Sequence, residues 1–343
     1  IGPKESRRTW KWKTDVPIPT YNMVIGAAEM DITTLGIANF AYSEASPRTD
    51  GSIEVSNWTF PEDTEKSRPS FIRSADMVNF FATRIGPYPY EKLANVQSST
   101  RFGGMENASA IFYSQSAIAK GRNIESTVSH EIAHQWFGDS VTEKEWHHLW
   151  LSEGFATYFG ALFFEQSDGA DSFKKRMEKN KDRIIKSKAT DRPIVDYEVN
   201  DLFKLLNSNN YPKGAWVLHM LRGLVGDDLF FKGISKYYSK YKDKTVLTDD
   251  FSAIMEEVSG LDLQYFFDQW IFSPGYPIIE IEQNWIPKKN GNNKMIITIN
   301  QVQKKKWPTF IFQSELCWGD NKCMPIKIDQ KTQSFDIETS LKP

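Results

Sequence analysis

The stretch TVSHEIAHQWFG, residues 127–138, sets His130 and His134 four positions apart with Glu131 directly after the first. At 3.6 residues per helical turn, positions four apart differ by only about 40° around the axis, so a helix here turns both imidazoles onto one face. They can then reach one ion together. Two neutral imidazoles suit a borderline-soft cation such as zinc, and Glu131, one position off that face, can reach a metal-bound water without being a ligand. A five-residue match of this kind also arises by chance, so other residues must complete the site.

Catalytic zinc usually takes three protein ligands and keeps a fourth position for water. After an eighteen-residue spacer beyond His134 comes Glu153, in LWLSEGFATYFGALFF, near the start of a second amphipathic helix that can pack against the first. An acid inside an apolar, aromatic helix is costly to bury unless it is paired or bound to an ion. His147 and His148 lack comparable context and are expected on a polar helix start, while His219, in AWVLHMLRG, reads as a satisfied core or surface histidine.

Two further stretches carry chemistry. In RFGGMENASAIFY, residues 101–113, paired glycines and a glutamate interrupt a strand-like run. Glycines let another backbone approach an exposed strand edge, where an extended peptide can add through main-chain hydrogen bonds, and Glu106 is then placed to meet a positive group. In YPKGAWVLHM, residues 211–220, Tyr211 heads a helix, and a phenol there can donate a hydrogen bond to an oxyanion.

A chain of 343 residues has room for two or three domains. With 40% apolar, 25% charged and 14% aromatic residues it is expected to be globular rather than disordered. A net charge of -2 argues against a nucleic-acid surface, and the lysine run at 304–306 and the PKKNGNNK loop lack the aromatic interleaving such a surface uses. No apolar run approaches the ~18 residues of a membrane span and no basic-then-apolar leader opens the chain, so it reads as soluble, cytoplasmic or exported. The chain opens on Ile1, compatible with removal of a leader or a longer amino-terminal region, and reads as a fragment.

From Tyr21 to Ser43 and again at 52–60 the pattern is of short β-type runs, and the polar, proline-bearing PEDTEKSRPS at 61–70 reads as a separator, with Ser70 able to cap the helix that follows. After a strand around KLANVQSS, helices are expected over 123–138, 147–167, 171–188, 211–226, 227–241, 248–259 and 261–273, with Gly138, Gly226 and Gly260 as stops. Beyond SPGYP at 273–277, five segments alternate as antiparallel strands and suggest a small β-sandwich. Cys317 and Cys323 flank WGDNK in a hairpin; if Gly319, Asp320 and Asn321 form its loop, a cross-strand disulfide becomes feasible and would favour export, while two free thiols fit equally well.

GGMEN at 103–107, HEIAHQWFG followed by WLSEGFA, and YPKGA occur in this order in a family that the chain resembles: the aminopeptidase N family of gluzincin zinc metallopeptidases, which also includes the bifunctional leukotriene hydrolase. The resemblance spans nearly the whole chain. It implies an α+β, multidomain chain: residues 1–65 as the tail of an amino-terminal β-domain, 66–275 as a mostly helical thermolysin-like zinc catalytic domain, and 276–343 as a carboxy-terminal β-sandwich domain. It also implies that His130, His134 and Glu153 hold one zinc per chain, that Glu131 is the general base acting on the zinc-bound water, and that Tyr211 stabilises the tetrahedral intermediate. Gly103, Gly104, Met105, Glu106 and Asn107 would bind substrate, with Glu106 on its free α-amine. Ser152 stands where asparagine is common, and most of the family's amino-terminal domain is missing, including a strand that supplies a second polar residue to the amine.

The implied activity is hydrolysis of the amino-terminal bond of peptides with a free amine. A thermolysin-like endopeptidase would share the metal residues but requires no anion for an α-amine, and an inactive peptide-binding scaffold would not require every catalytic residue type to be present. Epoxide hydrolysis of the leukotriene kind is disfavoured by the β-sandwich ending.

Overall fold

The computed structural model describes residues 9–40, 46, 48, 50–288, 293–319 and 322–339. The described chain falls into two compact units, the first comprising residues up to Thr142 with Phe159–Ser167 and Ile234–Thr245, the second Glu143–Tyr158, Asp168–Gly233 and the remainder. Helices and sheets are both extensive, so the fold is α+β. No helix among the described residues is long and apolar enough to cross a membrane.

In the first unit the chain forms β1 (Asp31–Ala38), β2 (Ile53–Thr59), α1 (Thr64–Phe71), α2 (Ser74–Arg84), β3 (Leu93–Ser98), β4 (Gly104–Met105), β5 (Ala110–Ser114), α3 (Gln115–Ala119), α4 (Glu125–His134) and the start of β6 (Val141–Glu143). One sheet runs in the order β1-β2-β3-β5-β4. Its middle strands β2, β3 and β5 are parallel, and β3 is buried along nearly all its length, as a strand covered on both faces should be. The outer pairs are antiparallel, and β4 ends the sheet, with Gly104 opposite Tyr113 and Met105 opposite Phe112.

Two local expectations fail here. The proline-bearing stretch 61–70 is helical rather than irregular; it forms a short turn of 3-10 helix, Pro61–Asp63, and then α1. Tertiary hydrogen bonds override its weak helix propensity: the Asp63 carboxylate accepts from Lys66 Nζ at 2.8 Å and Gln97 Nε2 at 2.7 Å, and Ser67 Oγ accepts from Asn57 Nδ2 at 2.8 Å. Ser70 does not cap α2. It lies inside α1, where its hydroxyl accepts the Ile124 N–H at 3.1 Å.

α4 is shorter than the 123–138 expected. It stops at His134, and the Asp139 N–H returns to the His134 carbonyl at 3.1 Å across a turn in which Gly138 holds φ 119°. That turn drops Trp136 into the core, where its indole N–H meets the Gly86 carbonyl at 2.8 Å and its ring meets Phe81 and Tyr88 edge-on.

The next helix, α5 (Trp150–Asp168), is one continuous element belonging to the second unit up to Tyr158 and to the first from Phe159 to Ser167. The second unit adds α6 (Ala170–Lys186), α7 (Gly214–Val225), the start of α8 (Asp227–Tyr241), the end of β7 (Lys244–Val246), α9 (Thr248–Ser259) and α10 (Gln264–Trp270). Gly226 and Gly260 follow the ends of α7 and α9 as expected. An aromatic cluster of Trp150, Phe155, Phe251 and Phe267 packs these helices, Phe155 meeting Phe251 edge-on at 5.0 Å.

After residue 277 come β8 (Ile279–Ile286), β9 (Asn293–Gln301), β10 (Phe312–Trp318), β11 (Lys322–Ile328) and β12 (Thr332–Thr339). They form an antiparallel three-stranded sheet, β12-β9-β8, and a β10-β11 hairpin that share one apolar cluster of Met295, Ile297, Ile299, Ile326, Ile328 and Ile337. The every-second-residue burial of β9 is the period-2 signature of a strand with one face inside. Cys317 stands opposite Cys323 in the hairpin, and a disulfide joins them. Asp320 and Asn321 of the hairpin loop, and 289–292 of the PKKNGNNK loop, lie outside the described residues.

Candidate metal centre

His130 and His134 lie on α4 with their Nε2 atoms 3.1 Å apart. Two nitrogens at zinc–nitrogen distances of 2.0–2.1 Å in tetrahedral geometry stand about 3.3 Å apart, so the pair is spaced as two ligands of one ion would be. His134 is buried, and its Nδ1 faces the Phe137 carbonyl at 3.0 Å. That carbonyl can only accept, which fixes the proton on Nδ1 and leaves the Nε2 lone pair for a metal.

A third candidate donor, Glu153, lies on α5. An added Cβ at Gly160 would lie 3.2 Å from the backbone of His130, so glycine lets the two helices approach closely at that point. Glu153 lies seven residues earlier, about two turns along the same face. Ligand atoms of His130, His134 and Glu153 all fall within 4.8 Å of one another. The donor set, two imidazoles and a buried carboxylate, fits zinc.

Tyr211 donates its hydroxyl to Glu153 Oε1. It sits in a wide turn of π-helix, Asn209–Lys213, that leads into α7. A Cβ on Gly154 would come within 3.0 Å of the Gly214 Cα and one on Gly214 equally close to Gly154, so a pair of glycines brings the Tyr211 turn against the start of α5.

GGMEN lies at the sheet edge. A Cβ on Gly104 would collide with the Glu131 carboxylate, which is buried beside it. Gly103 is exposed, and its carbonyl accepts the Ser114 N–H at 3.0 Å. Met105 is half-buried in β4, and Asn107 is buried with its side-chain amide on the Asn22 carbonyl at 3.2 Å. Carboxylate and imidazole atoms of Glu106, Glu131 and His134 also fall within 4.8 Å of one another.

A further acid, Asp139, is buried close by. Burial, then the negative charge of Glu106, hold its carboxyl well above the ordinary carboxylate range, against the lowering influence of His134 and of the hydrogen bond from Asn22. Such a concentration of acids is unfavourable by itself and is relieved by cations, whether a metal or a substrate ammonium.

Sequence reasoning passed over Gln135 and Asp139. The Gln135 amide donates to the Glu106 carbonyl at 2.9 Å and to Asp139 Oδ2 at 2.8 Å, while Asp139 Oδ1 accepts from Asn22 Nδ2 at 2.5 Å. The available signal was two polar side chains within the otherwise apolar QWFGD that follows the second histidine.

The other histidines lie elsewhere. His148 stands at a helix start, in the 3-10 turn Trp146–His148, but a buried one, with Nδ1 on Thr248 Oγ1 and Nε2 on the Tyr197 hydroxyl, both at 2.8 Å. Buried Thr248 and the more exposed Tyr197 bring these two hydroxyls to the imidazole, so it is satisfied there. His147 meets the Val199 carbonyl at 3.2 Å and His219 the Tyr158 hydroxyl at 3.3 Å.

Lys213, two residues past Tyr211, is buried with no hydrogen-bond partner for its amine among the described residues, and burial lowers its pKa from 10.5 to about 7. Between those values the unfolded chain binds more protons than the folded one, so this residue makes stability rise with pH from about 7 to 10.5. Lys213→Met is therefore expected to raise the urea midpoint most near pH 7 and to flatten its rise towards pH 10. Parallel pH profiles for parent and variant would contradict this.

Comparison with known proteins gives the family. The Peptidase family M1 domain matches residues 73–270. The chain belongs to peptidase family M1. This M1 chain is 29% identical over 323 residues to leucine aminopeptidase 2 of Ajellomyces capsulatus, covering 89% of the chain and 48% of that protein. It is 35% identical over 216 residues to aminopeptidase M1-C of Oryza sativa, covering 57% of the chain and 24% of that protein. The chain thus spans half or less of these relatives. Among solved structures, Legionella pneumophila aminopeptidase A in complex with aspartic acid matches with a TM-score of 0.74 and 19% identity, over 94% of this chain and 37% of that one. At that identity the likeness speaks for the fold.

Proposed function

We propose that the chain carries the catalytic part of a zinc-dependent aminopeptidase that hydrolyses the amino-terminal bond of peptides with a free amine. The observation that carries the reading is the gathering of His130, His134 and Glu153 within 4.8 Å, with Glu131 and Glu106 beside His134. Residues 66–275 are the thermolysin-like domain on this reading, 1–65 the tail of an amino-terminal β-domain and 276–343 the β-sandwich domain.

His130, His134 and Glu153 hold one zinc. When bound, zinc polarises the scissile carbonyl and lowers the pKa of a coordinated water towards ~7. Glu131, seated against Gly104, takes the proton of the attacking water and passes it to the leaving nitrogen, so that water is added across the peptide bond. Tyr211, whose hydroxyl already reaches Glu153, turns its donor to the carbonyl oxygen as negative charge grows there. Glu106 pairs with the substrate ammonium, and β4 with its flanking residues, 103–107, receives the substrate backbone.

The test is a panel of aminoacyl chromogenic amides assayed with and without a chelator. Cleavage that disappears on chelation and returns with zinc is expected. Cleavage indifferent to the chelator, or none on any amide, would refute the reading.

A further inference from the structure

We propose that Gln135 sets the spacing between the metal ligands and the amine anchor, and so acts as a positioning residue for recognition of the chain end. The inference rests on the reading of Glu106 as that anchor. Gln135 directly follows the ligand His134 and is completely buried. Its side chain grips the turn after Glu106 at both ends: Nε2 donates to the Glu106 carbonyl at 2.9 Å, and Oε1 accepts the Ser109 N–H at 2.8 Å. A neutral carboxamide is suited to this because it holds donor and acceptor side by side.

The turn needs holding. Ser109 adopts φ 64°, an uncommon conformation for a residue with a Cβ, and the Asn107 and Ala110 N–H groups fold back on the Met105 and Asn107 carbonyls at 2.9 and 3.0 Å. Gln135 is itself held on two sides, accepting from the Tyr88 hydroxyl at 3.1 Å and donating to Asp139 at 2.8 Å. Asp139 is tied in turn to Asn22, whose carbonyl takes the Asn107 amide at 3.2 Å. Every member of this network belongs to the first unit. Glu106 is thereby fixed relative to the residue next to His134.

The spacing matters because the substrate brings a fixed one. In an amino-terminal residue the nitrogen and the carbonyl carbon are separated by only two bonds, about 2.5 Å, so an anchor that drifts by about 1 Å carries the scissile carbon away from its attacking position. Loss of Gln135 should therefore be felt through Glu106 and not independently of it.

The experiment is a double-mutant cycle on kcat/KM for an unblocked alanyl p-nitroanilide, using Gln135→Met, Glu106→Ala and the double variant, with zinc content measured on each. Gln135→Met is expected to keep its zinc and to lower kcat/KM about 10- to 10²-fold, chiefly through KM, in the parent. Once Glu106 is alanine it should lower it less than about 3-fold further. Gln135→Glu exchanges the NH2 for an oxygen, loses the donations to the Glu106 carbonyl and to Asp139 and keeps the acceptor for Ser109; it should show the same dependence on Glu106, and decides the matter if the methionine variant does not fold. Equal losses in both backgrounds, or parent-level activity of the Gln135 variants, would remove this inference alone. A parent inactive on the unblocked amide would remove the aminopeptidase reading and this inference with it.

Discussion

Glu131→Gln is expected to lose turnover by ~10²- to 10⁴-fold, the usual contribution of a positioned general base, while the zinc stays in place. The exchange is close to isosteric, so the contact with Gly104 and the packing of α4 are kept. What is lost is the ability to take a proton, since the carboxamide of glutamine has no basic lone pair to receive one. His130, His134 and Glu153 are untouched. Because the effect falls on a step after binding, kcat should fall with little change in KM. A variant that turns over like the parent would exclude Glu131 as the base. One that loses zinc along with activity would make it a structural part of the metal site.

Acetylation of the substrate amine is expected to suppress cleavage by at least ~10²-fold, and Glu106→Ala to lower kcat/KM on unblocked substrates by roughly 10- to 10²-fold, the worth of a hydrogen bond to a charged group. An exopeptidase must measure from the chain end, and a fixed anion that pairs with the ammonium while the metal takes the first carbonyl does so directly. Glu106 stands within 4.8 Å of His134, close enough for one residue to span both. A neutral amide cannot replace the ammonium and would leave the carboxylate buried against it without a partner. In Glu106→Ala the discrimination between free and acetylated peptides should shrink as well. If both substrates are cleaved equally by the parent, and Glu106→Ala behaves like it, an endopeptidase becomes the better account.

What could be read from the sequence was chemistry carried by local spacing. His130 and His134 need only one helix to converge, and Glu153 stood out because an acid in an apolar helix calls for a partner. The β9 alternation was legible for the same reason, since period 2 is a property of neighbouring residues. α1 was not legible: Pro69, Ser67 and Ser70 weaken its helix signal, and it is stabilised through Gln97 and Asn57, which lie outside it in sequence. The Gln135 network was hidden in the same way, because Asn22 is 117 residues from Asp139 and Ser109 is 26 from Gln135. The burial of His148 at its helix start was not legible because the hydroxyls that satisfy it, on Tyr197 and Thr248, are 49 and 100 residues away. Sequence periodicity reports which face is apolar and is silent about which distant donor will meet a buried polar atom.

The central claim is that three side chains on α4 and α5 form a zinc site, and elemental analysis of the purified chain tests it most directly. Parent, Glu131→Gln and His134→Ala should be measured side by side after dialysis against a weak chelator. About one zinc per chain in the first two and a large loss in His134→Ala is the predicted result, because removing one of three ligands leaves too few donors to hold the ion while removing the base leaves all of them. A parent without zinc after incubation with the metal, or His134→Ala retaining it as firmly as the parent, would contradict the account.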